Sequence, residues 1–316
     1  MKDNYEKERL LVQVAKLYYE NDYSQEQIAA QLHLSRPYVS KLLKAAKSGG
    51  LVQIRVVDPL NLQTPLEEEF CDRFHLEKAI IVPQKESVSP LKPVSEAAAR
   101  FLNEVLQEHD VIASSWGDTM YQLSLSLQGR TELTDLKYVQ ICGGFNNVKS
   151  SSFAAEIANN FSTVYGCPSY QMQLPAIVGS SQLKNLLEED PHLAQVMALA
   201  RQADVAVFTI GAFGERSALV REGFLSEELM RTLEAKGAVG DICTHVITGD
   251  GTICDTELDA RTIAIDLADI RKMRCRIGVA QGLSKVPAIC GALSSGIMNV
   301  FVTNEYTAEQ VLKKLS

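Results

Sequence analysis

The 316-residue chain lacks the short motifs that mark several large enzyme classes. It contains no H-E-x-x-H, no G-x-S-x-G and no G-x-G-x-x-G, and it has five histidines and one tryptophan. These absences argue against a zincin metalloprotease, an α/β-hydrolase and a dinucleotide-dependent enzyme. No catalytic set of residues emerges, so we expect no cofactor, no metal and no enzymatic activity.

Long apolar runs are also missing. The longest, such as residues 79–82, are far too short to cross a bilayer. The charged N-terminus from Lys2 to Arg9 is not followed by the apolar core of a signal peptide. We therefore expect a cytoplasmic protein without a membrane partner.

The seven cysteines form no recognisable frame. They are odd in number, widely spaced and without a C-x-x-C pair, which argues against a disulfide framework or a zinc site. We expect most of them to be packed core thiols. Cys142 precedes the Gly143-Gly144 pair and would there line a pocket, although a packed thiol is the favoured interpretation for it as well.

The net charge of −8 is divided unevenly along the chain. Residues 1–57 carry nine Lys or Arg and six Asp or Glu, whereas the remainder has a large acidic excess. A basic head on an acidic body suits contact with phosphates at one end only. The head is therefore the part expected to bind nucleic acid.

Residues 24–43 have the pattern of two short helices joined by a turn. Ser24 and Gln27 form a capping box at the first helix, and Ser35 caps the second. Pro37 is tolerated in the first turn of that helix, because N–H groups there lack intrahelical partners. The turn contains His33 where glycine is usual, which predicts a left-handed residue under slight strain.

The second helix buries one face and leaves a polar face for DNA. Four apolar residues recur at helical spacing and should point inward: Val39, Leu42, Leu43 and Ala46. Residues 36–55 carry five positive charges and no acidic residue, which suits a recognition helix in a major groove, although a solvated face beside a small core has the same pattern. A strand at residues 51–57 would be the wing. The residues predicted to contact DNA are Ser24, Gln25, Ser35, Arg36, Pro37, Tyr38, Ser40, Lys41, Lys44 and Arg55.

Strands and helices alternate in the rest of the chain. This order predicts an α/β fold with a doubly wound, mostly parallel sheet. We predict a winged helix–turn–helix domain at 1–57, a linker and possible dimer-contact helix at 58–78, and a ligand-binding domain at 79–316. The predicted strands are 79–82, 111–114, 138–141, 170–174, 205–210, 276–280 and 300–303, with a small hairpin of 241–247 and 252–254 about Gly249-Asp250-Gly251.

Four of these strands end in glycine-bearing loops. In doubly wound sheets ligands bind at the carboxyl ends of strands, and glycine lets backbone N–H groups approach an anion. Any one loop is equally well a plain turn, but four together favour a small phosphorylated ligand, with Lys285 as its phosphate partner. Asp241 and Asp259 would accept sugar hydroxyls or else act as turn carboxylates. The other candidate ligand contacts in these loops are Ser114, Ser115, Gly117, Asp118, Thr119, Gly143 and Gly144.

The chain resembles the SorC family of bacterial sugar-responsive transcription regulators nearly from end to end, and within it the regulators of deoxyribonucleoside operons. The stretches that carry the resemblance are 15–19, 23–29, 34–36, 39–43, 52–55, 115–117, 143–144, 237–242 and 280–285. The most specific of them are the helix–turn–helix and the Gly-Ala-Val-Gly-Asp run that ends at Asp241.

The resemblance implies a winged helix–turn–helix joined to an effector domain related in fold to sugar-phosphate isomerases and deaminases. It implies a homodimer or homotetramer on double-stranded operator DNA, and a phosphorylated sugar that lowers DNA affinity. Effector contacts would include Ser115, Gly117, Gly143-Gly144, Asp241 and Lys285. Gln281 is also predicted to contact the effector; it stands where relatives often have glycine or alanine, so a polar side chain there would alter the pocket.

Three functions remain open at this point. The first is a ligand-released repressor of a sugar or nucleoside catabolic operon. The second is an enzyme of the sugar-phosphate isomerase or deaminase type with an appended DNA-binding head, which would need a general base beside the phosphate loops. The third is an oligomerisation body with a vestigial pocket.

Overall fold

The computed structural model describes residues 2–49, 51–52, 63–84, 86, 90–130, 132–144, 152–215 and 217–315. The chain divides into two compact units, Met1–Leu62 and Gln63–Ser316, which are described separately. The predicted wing strand lies largely outside the described residues, and Arg55 lies outside them altogether.

The first unit contains three helices in its described residues: α1 (Lys2–Tyr19), α2 (Gln25–Gln31) and α3 (Arg36–Ser48). The predicted capping box at α2 is present, since Ser24 Oγ accepts the Gln27 N–H at 3.2 Å and Gln27 Oε1 accepts the Ser24 N–H at 2.8 Å. Ser35 caps α3 by accepting the Tyr38 N–H at 3.3 Å. Both helix starts were therefore readable from local sequence.

A small core holds these three helices together. Val39, Leu42 and Leu43 of α3 are buried against Val14 of α1 and Ile28 of α2. His33, between α2 and α3, has φ +54°, so the predicted left-handed residue is present in the turn. The apolar stripe thereby fixes which face of α3 points outward.

The second unit is an α/β body. Its strands in the described residues are β1 (Lys78–Val82), β2 (Val111–Ser114), β3 (Lys137–Gln140), β4 (Ser169–Tyr170), β5 (Val205–Ala212), β6 (Ala238–Ile242), β7 (His245–Thr248), β8 (Cys275–Val279) and β9 (Val300–Asn304). The helices are α4 (Pro65–Phe74), α5 (Lys92–Val105), α6 (Asp118–Ser124), α7 (Ala154–Tyr165), α8 (Ser181–Glu188), α9 (Pro191–Arg201), α10 (Ala218–Arg221), α11 (Glu227–Ala235), α12 (Thr256–Asp259), α13 (Leu267–Ile270), α14 (Val286–Ser294) and α15 (Glu305–Leu315). A 3₁₀ turn, Leu283–Lys285, precedes α14.

The main sheet has the order β1-β9-β8-β5-β2-β3-β4, and every pair in it is parallel. From β2 the chain proceeds outward to β3 and β4, then returns to β5 on the other side of β2 and continues to β8 and β9. The order of strands therefore reverses between β2 and β5. The predicted doubly wound, mostly parallel sheet is confirmed, and its switch point lies at this pair.

Helix α4, predicted as part of a linker, packs within the second unit. Phe70 is fully buried and its ring lies 6.0 Å from that of Phe301 on β9. Glu67 Oε1 also accepts the Ile81 N–H of β1 at 2.8 Å. The suggested dimer contact through this helix stays a prediction. No helix in the described part of the chain is both long and apolar enough to span a bilayer.

The predicted hairpin about Gly249-Asp250-Gly251 is present in part, but its predicted first arm, 241–247, is divided between β6 and β7. Strands β6 and β7 pair in antiparallel register around a two-residue turn of Cys243 and Thr244. After β7 the chain turns at the glycine-rich run, and residues 252–254 return antiparallel to β7. Ile247 and Ile253 form a bridge, the Thr248 N–H donates to Thr252 O and the Cys254 N–H donates to Val246 O, both at 2.9 Å. β6 also pairs antiparallel with the end of β5, which brings Asp241 opposite Gly211.

Candidate functional site

A cavity of about 200 Å³ opens at the carboxyl ends of β2 and β5, at the switch point of the sheet. Its walls come from the loop after β2, the end of β5, the β6–β7 turn, helix α10 and the 3₁₀ turn before α14. Parallel strands deliver their carboxyl ends to one edge of the sheet, so these distant segments meet there. This is the position at which open α/β sheets bind ligands.

The loop after β2 contributes hydroxyl groups and a carboxylate. Ser115, Asp118 and Thr119 line the cavity, and Ser115 Oγ accepts the Thr209 N–H of β5 at 3.2 Å. Gly117, with φ +112°, turns the chain into α6, and its N–H donates to Ser152 O at 3.0 Å. The loop is therefore held to β5 through Ser115 and to the segment before α7 through Gly117.

Asp241 enters the cavity beside Lys285, as the sequence had suggested for a ligand site. A Cβ atom on Gly211 would overlap the Asp241 carboxylate, so only glycine on β5 leaves room for it. Thr244 donates its N–H to Asp241 Oδ2 at 3.3 Å. Lys285 Nζ donates to Thr209 Oγ1 at 3.4 Å, also within the cavity.

The two charged groups perturb each other. Burial raises the pKa of Asp241 to about 6, while the Thr244 N–H, Lys285 and His245 oppose this shift. Burial lowers the pKa of Lys285, against the attraction of Asp241 and Asp118. A cation and a carboxylate in one cleft, both with shifted pKa values, are typical of a functional site.

Arg221 is a cavity residue that the sequence did not predict. It lies on α10, lines the cavity, and is 3.4 Å from Asp118 Oδ2 and 3.1 Å from Glu222 Oε1. Its side chain is 47% exposed, so it reaches the site from the solvent side. Arginine binds anions through a planar fork of donors, which adds a second cationic group to the cavity.

Five predicted ligand residues do not line the cavity. Ser114 Oγ lies 2.7 Å from the buried Tyr138 hydroxyl, Gln281 Nε2 donates to Pro90 O at 3.3 Å, and Asp259 Oδ1 lies 2.6 Å from His245 Nδ1. The N–H groups of Gly143 and Gly144 donate to Ile263 O at 2.8 Å and Leu174 O at 3.0 Å. Those two amides are already paired and cannot cradle an anion. Gly144 instead allows close packing, because a Cβ there would lie 2.8 Å from Trp116 Cδ1.

Cys142 and Cys243 both line the cavity and are buried. Burial raises the pKa of each thiol, and the nearby Asp241 carboxylate raises it further. Both are therefore protonated at neutral pH, and they form apolar wall. In the described residues no group of three or more His, Cys, Asp or Glu side chains is arranged to hold a metal ion.

The turn between β6 and β7 is strained. Cys243 has φ +50° and Thr244 has φ +73°, although neither is glycine. A two-residue turn of this kind favours Asn-Gly or Gly-Gly, and a β-branched residue in the left-handed region is a genuine outlier. Both residues face the cavity, where backbone strain is often associated with function.

Thr244→Gly is expected to raise the free energy of unfolding by about 1 kcal/mol, because glycine adopts the left-handed conformation without steric cost. Urea denaturation of the full chain measures this. Thr232→Gly, inside helix α11, is the matched control and should destabilise. An unchanged or lower stability of Thr244→Gly would contradict the strained turn.

The outward face of α3 is the candidate DNA surface. Arg36, Pro37, Tyr38, Ser40, Lys41 and Lys44 are all exposed. The Arg36 guanidinium lies 3.5 Å from the Glu26 carboxylate on α2, and both side chains are largely exposed. The Ser24 and Ser35 side chains cap α2 and α3, and Gln25 is half-buried at the start of α2.

Comparison with known proteins agrees with this architecture. A family model described as "Putative sugar-binding domain" matches residues 58–313. The deoxyribonucleoside regulator of Bacillus subtilis is 34% identical over 312 residues, which cover 98% of this chain and 99% of that protein. The erythritol catabolism regulatory protein EryD of Brucella abortus is 25% identical over 311 residues, 96% of each chain.

A solved structure matches over nearly the whole length. The full-length sorbitol operon regulator SorC of Klebsiella pneumoniae superposes with a TM-score of 0.77 at 29% identity, covering 96% of this chain and 98% of that one. The resemblance seen in the sequence is thereby confirmed. The chain belongs to the SorC family of sugar-binding transcriptional regulators.

Proposed function

We propose that this DNA-binding regulator represses a sugar or nucleoside catabolic operon and leaves its operator when a phosphorylated sugar enters the cavity. It would act in the cytoplasm as a homodimer or homotetramer. The observation that carries the proposal is the cavity itself, which gathers two cationic side chains and two carboxylates at the switch point of the sheet.

The cationic groups support a phosphate as one part of the ligand. Lys285 is partly desolvated, and Arg221 is already paired with the carboxylate of Asp118. A phosphate dianion binds both types of side chain through charge-assisted hydrogen bonds, each stronger than a neutral bond. An incoming phosphate would compete with Asp118 for Arg221.

The remaining polar groups support a sugar as the other part. The Asp241 carboxylate accepts hydrogen bonds from vicinal hydroxyls, and Ser115, Thr119 and Thr209 can both donate and accept. Cys142 and Cys243 form apolar wall against the carbon skeleton. The relatives named above regulate deoxyribonucleoside, sorbitol and erythritol genes, which suits a polyhydroxylated ligand class.

DNA binding would use two copies of α3. A dimer engages both half-sites only when its recognition helices lie about 34 Å apart, one turn of the duplex. A ligand that binds more tightly to the dimer form without this helix spacing shifts the equilibrium toward that form. The size of the shift is set by the difference between its affinities for the two forms. Such coupling is typically ~1–3 kcal/mol.

A titration of the operator complex tests the proposal. An operator is first selected from random duplexes with the purified full chain, and its complex is then titrated by fluorescence anisotropy with a panel of pentose, hexose and alditol phosphates. One of these is expected to weaken binding by about 5- to 150-fold. The unphosphorylated sugars are the matched controls and should leave the complex intact. Absence of release by every phosphorylated compound would refute ligand-controlled repression.

The relatives described above are named as regulators, which argues against a sugar-phosphate isomerase or deaminase. The same panel of sugar phosphates tests for such an activity: after incubation with the full chain, the NMR spectrum of each compound should be unchanged.

A further inference from the structure

His245 is a buried imidazole whose two nitrogen atoms both face acceptors. Its side chain is 2% exposed, Nδ1 lies 2.6 Å from Asp259 Oδ1, and Nε2 lies 3.0 Å from Ile265 O. The backbone carbonyl oxygen only accepts, so Nε2 donates to Ile265 O, while Nδ1 shares a hydrogen bond with the Asp259 carboxyl group. The buried ring is therefore held at two points.

This pair ties three segments together at the back of the cavity. His245 is the first residue of β7 and directly follows the Cys243–Thr244 turn. Asp259 ends α12, and Ile265 lies in the segment before α13. The ring thus anchors the end of the turn at two points outside the hairpin.

The anchored turn is the strained one. Left-handed conformations at residues with a Cβ cost about 1–2 kcal/mol each and persist only where the surroundings enforce them. The turn also supplies the Thr244 N–H that donates to Asp241 Oδ2 at 3.3 Å. Loosening the turn would withdraw that donor from the carboxylate.

We propose that His245 and Asp259 act as positioning residues, forming a clamp that holds the strained turn and thereby keeps the Asp241 carboxylate ionised and aimed into the cavity. The clamp depends on the proposed function only for the identity of the ligand that Asp241 binds. It also explains why Asp259, expected in the cavity, does not line it: its carboxyl group is bonded to the His245 ring.

The groups around Asp241 determine the expected sign. Lys285 and His245 lower the pKa of its carboxyl group, Cys142 and Cys243 are buried thiols beside it, and Asp118 acts on Lys285. Loss of the clamp frees the Thr244 N–H, which holds the pKa of Asp241 down, whereas the burial that raises this pKa remains. The pH at which Asp241 gains a proton therefore rises.

The test is a titration of the ligand-free full chain. Aspartate side-chain carboxyl groups are labelled with ¹³C, and the Asp241 resonance is assigned by its disappearance in Asp241→Asn. The wild-type midpoint is expected near pH 6, and those of His245→Gln and Asp259→Asn about one pH unit higher. Asp259→Glu, which retains the carboxylate, is the matched control and should keep the wild-type midpoint.

A second comparison separates the clamp from a general structural role. Thr244→Gly relieves the strain in the turn. The double variant of Thr244→Gly and His245→Gln should therefore have an Asp241 titration midpoint closer to that of the wild type than His245→Gln alone. An unmoved midpoint in folded His245→Gln and Asp259→Asn overturns the clamp. If His245→Gln does not fold, Asp259→Asn decides alone, since Asp259 is 28% exposed and tolerates the exchange more readily. Because no ligand is present, failure here leaves operator release by a sugar phosphate untouched.

Discussion

Lys285→Ala should shift release of the operator to about 10- to 100-fold higher concentrations of the phosphorylated sugar while leaving operator affinity within about twofold. The variant removes one charge-assisted hydrogen bond to the phosphate, which contributes about 1.5–3 kcal/mol. It also removes the cation that opposes the raised pKa of Asp241, so a buried carboxylate loses its partner. The ligand's affinity is therefore expected to fall by about 10- to 100-fold.

Two measurements on one preparation check this. Calorimetric titration with the compound that releases the operator gives the ligand affinity, and anisotropy gives the operator affinity. Lys137→Ala, which removes an exposed lysine at the start of β3, is the matched control and should change neither. If Lys285→Ala kept the wild-type response to the ligand, Lys285 would not be a ligand contact.

Lys41→Ala should have the opposite effect. Lys41 is exposed on the outward face of α3, between the buried Val39 and Leu42. If its ammonium group contacts a DNA phosphate, operator affinity falls and the number of ions released on binding decreases by about one. If it contacts a base, the preference for the operator over other DNA sequences falls by about 1–3 kcal/mol. In either case the sugar-phosphate affinity of the isolated protein stays unchanged.

Anisotropy at several salt concentrations distinguishes the two kinds of contact. Lys16→Ala, exposed near the end of α1, is the control within the same unit and should have a smaller effect. Equal operator affinity of Lys41→Ala and wild type at all salt concentrations would mean that this face of α3 does not bind DNA.

The first unit was the most predictable part because its signals are local. Ser24, Gln27 and Ser35 act within three residues of themselves, and the spacing of Val39 and Leu42 alone gives the buried face. Helix capping and helical periodicity need no distant partner. Such features can be read before the rest of the chain is considered.

The sheet was predictable in type and less so in detail. Each strand–loop–helix unit is local, and a run of them implies parallel pairing. The order of the strands in the sheet decides which loops meet at the cavity. No local sequence pattern indicates that this order reverses between β2 and β5. The glycine pair at 143–144 therefore suggests anion binding from sequence alone, whereas in the structure both amide N–H groups donate to backbone carbonyl oxygens.

The residues missed by sequence reasoning share one property: tertiary structure brings them to the cavity. Arg221 lies on a four-residue helix between β5 and β6, without a motif around it. Thr209 lies within a strand. The Cys243–Thr244 turn lacks the glycine that signals a hairpin, so the sequence predicts only the pairing about the neighbouring Gly-Asp-Gly run. A turn that only its surroundings can enforce has no local signature.

The cavity draws its walls from segments far apart in the chain, from Ser115 after β2 to Lys285 before α14. During synthesis the N-terminal helices and the first strands leave the ribosome long before the segment that carries Lys285. A growing chain is thus able to form its helix–turn–helix core while it still lacks a complete place for a metabolite. The cavity is complete only after the segment that carries Lys285 has been made.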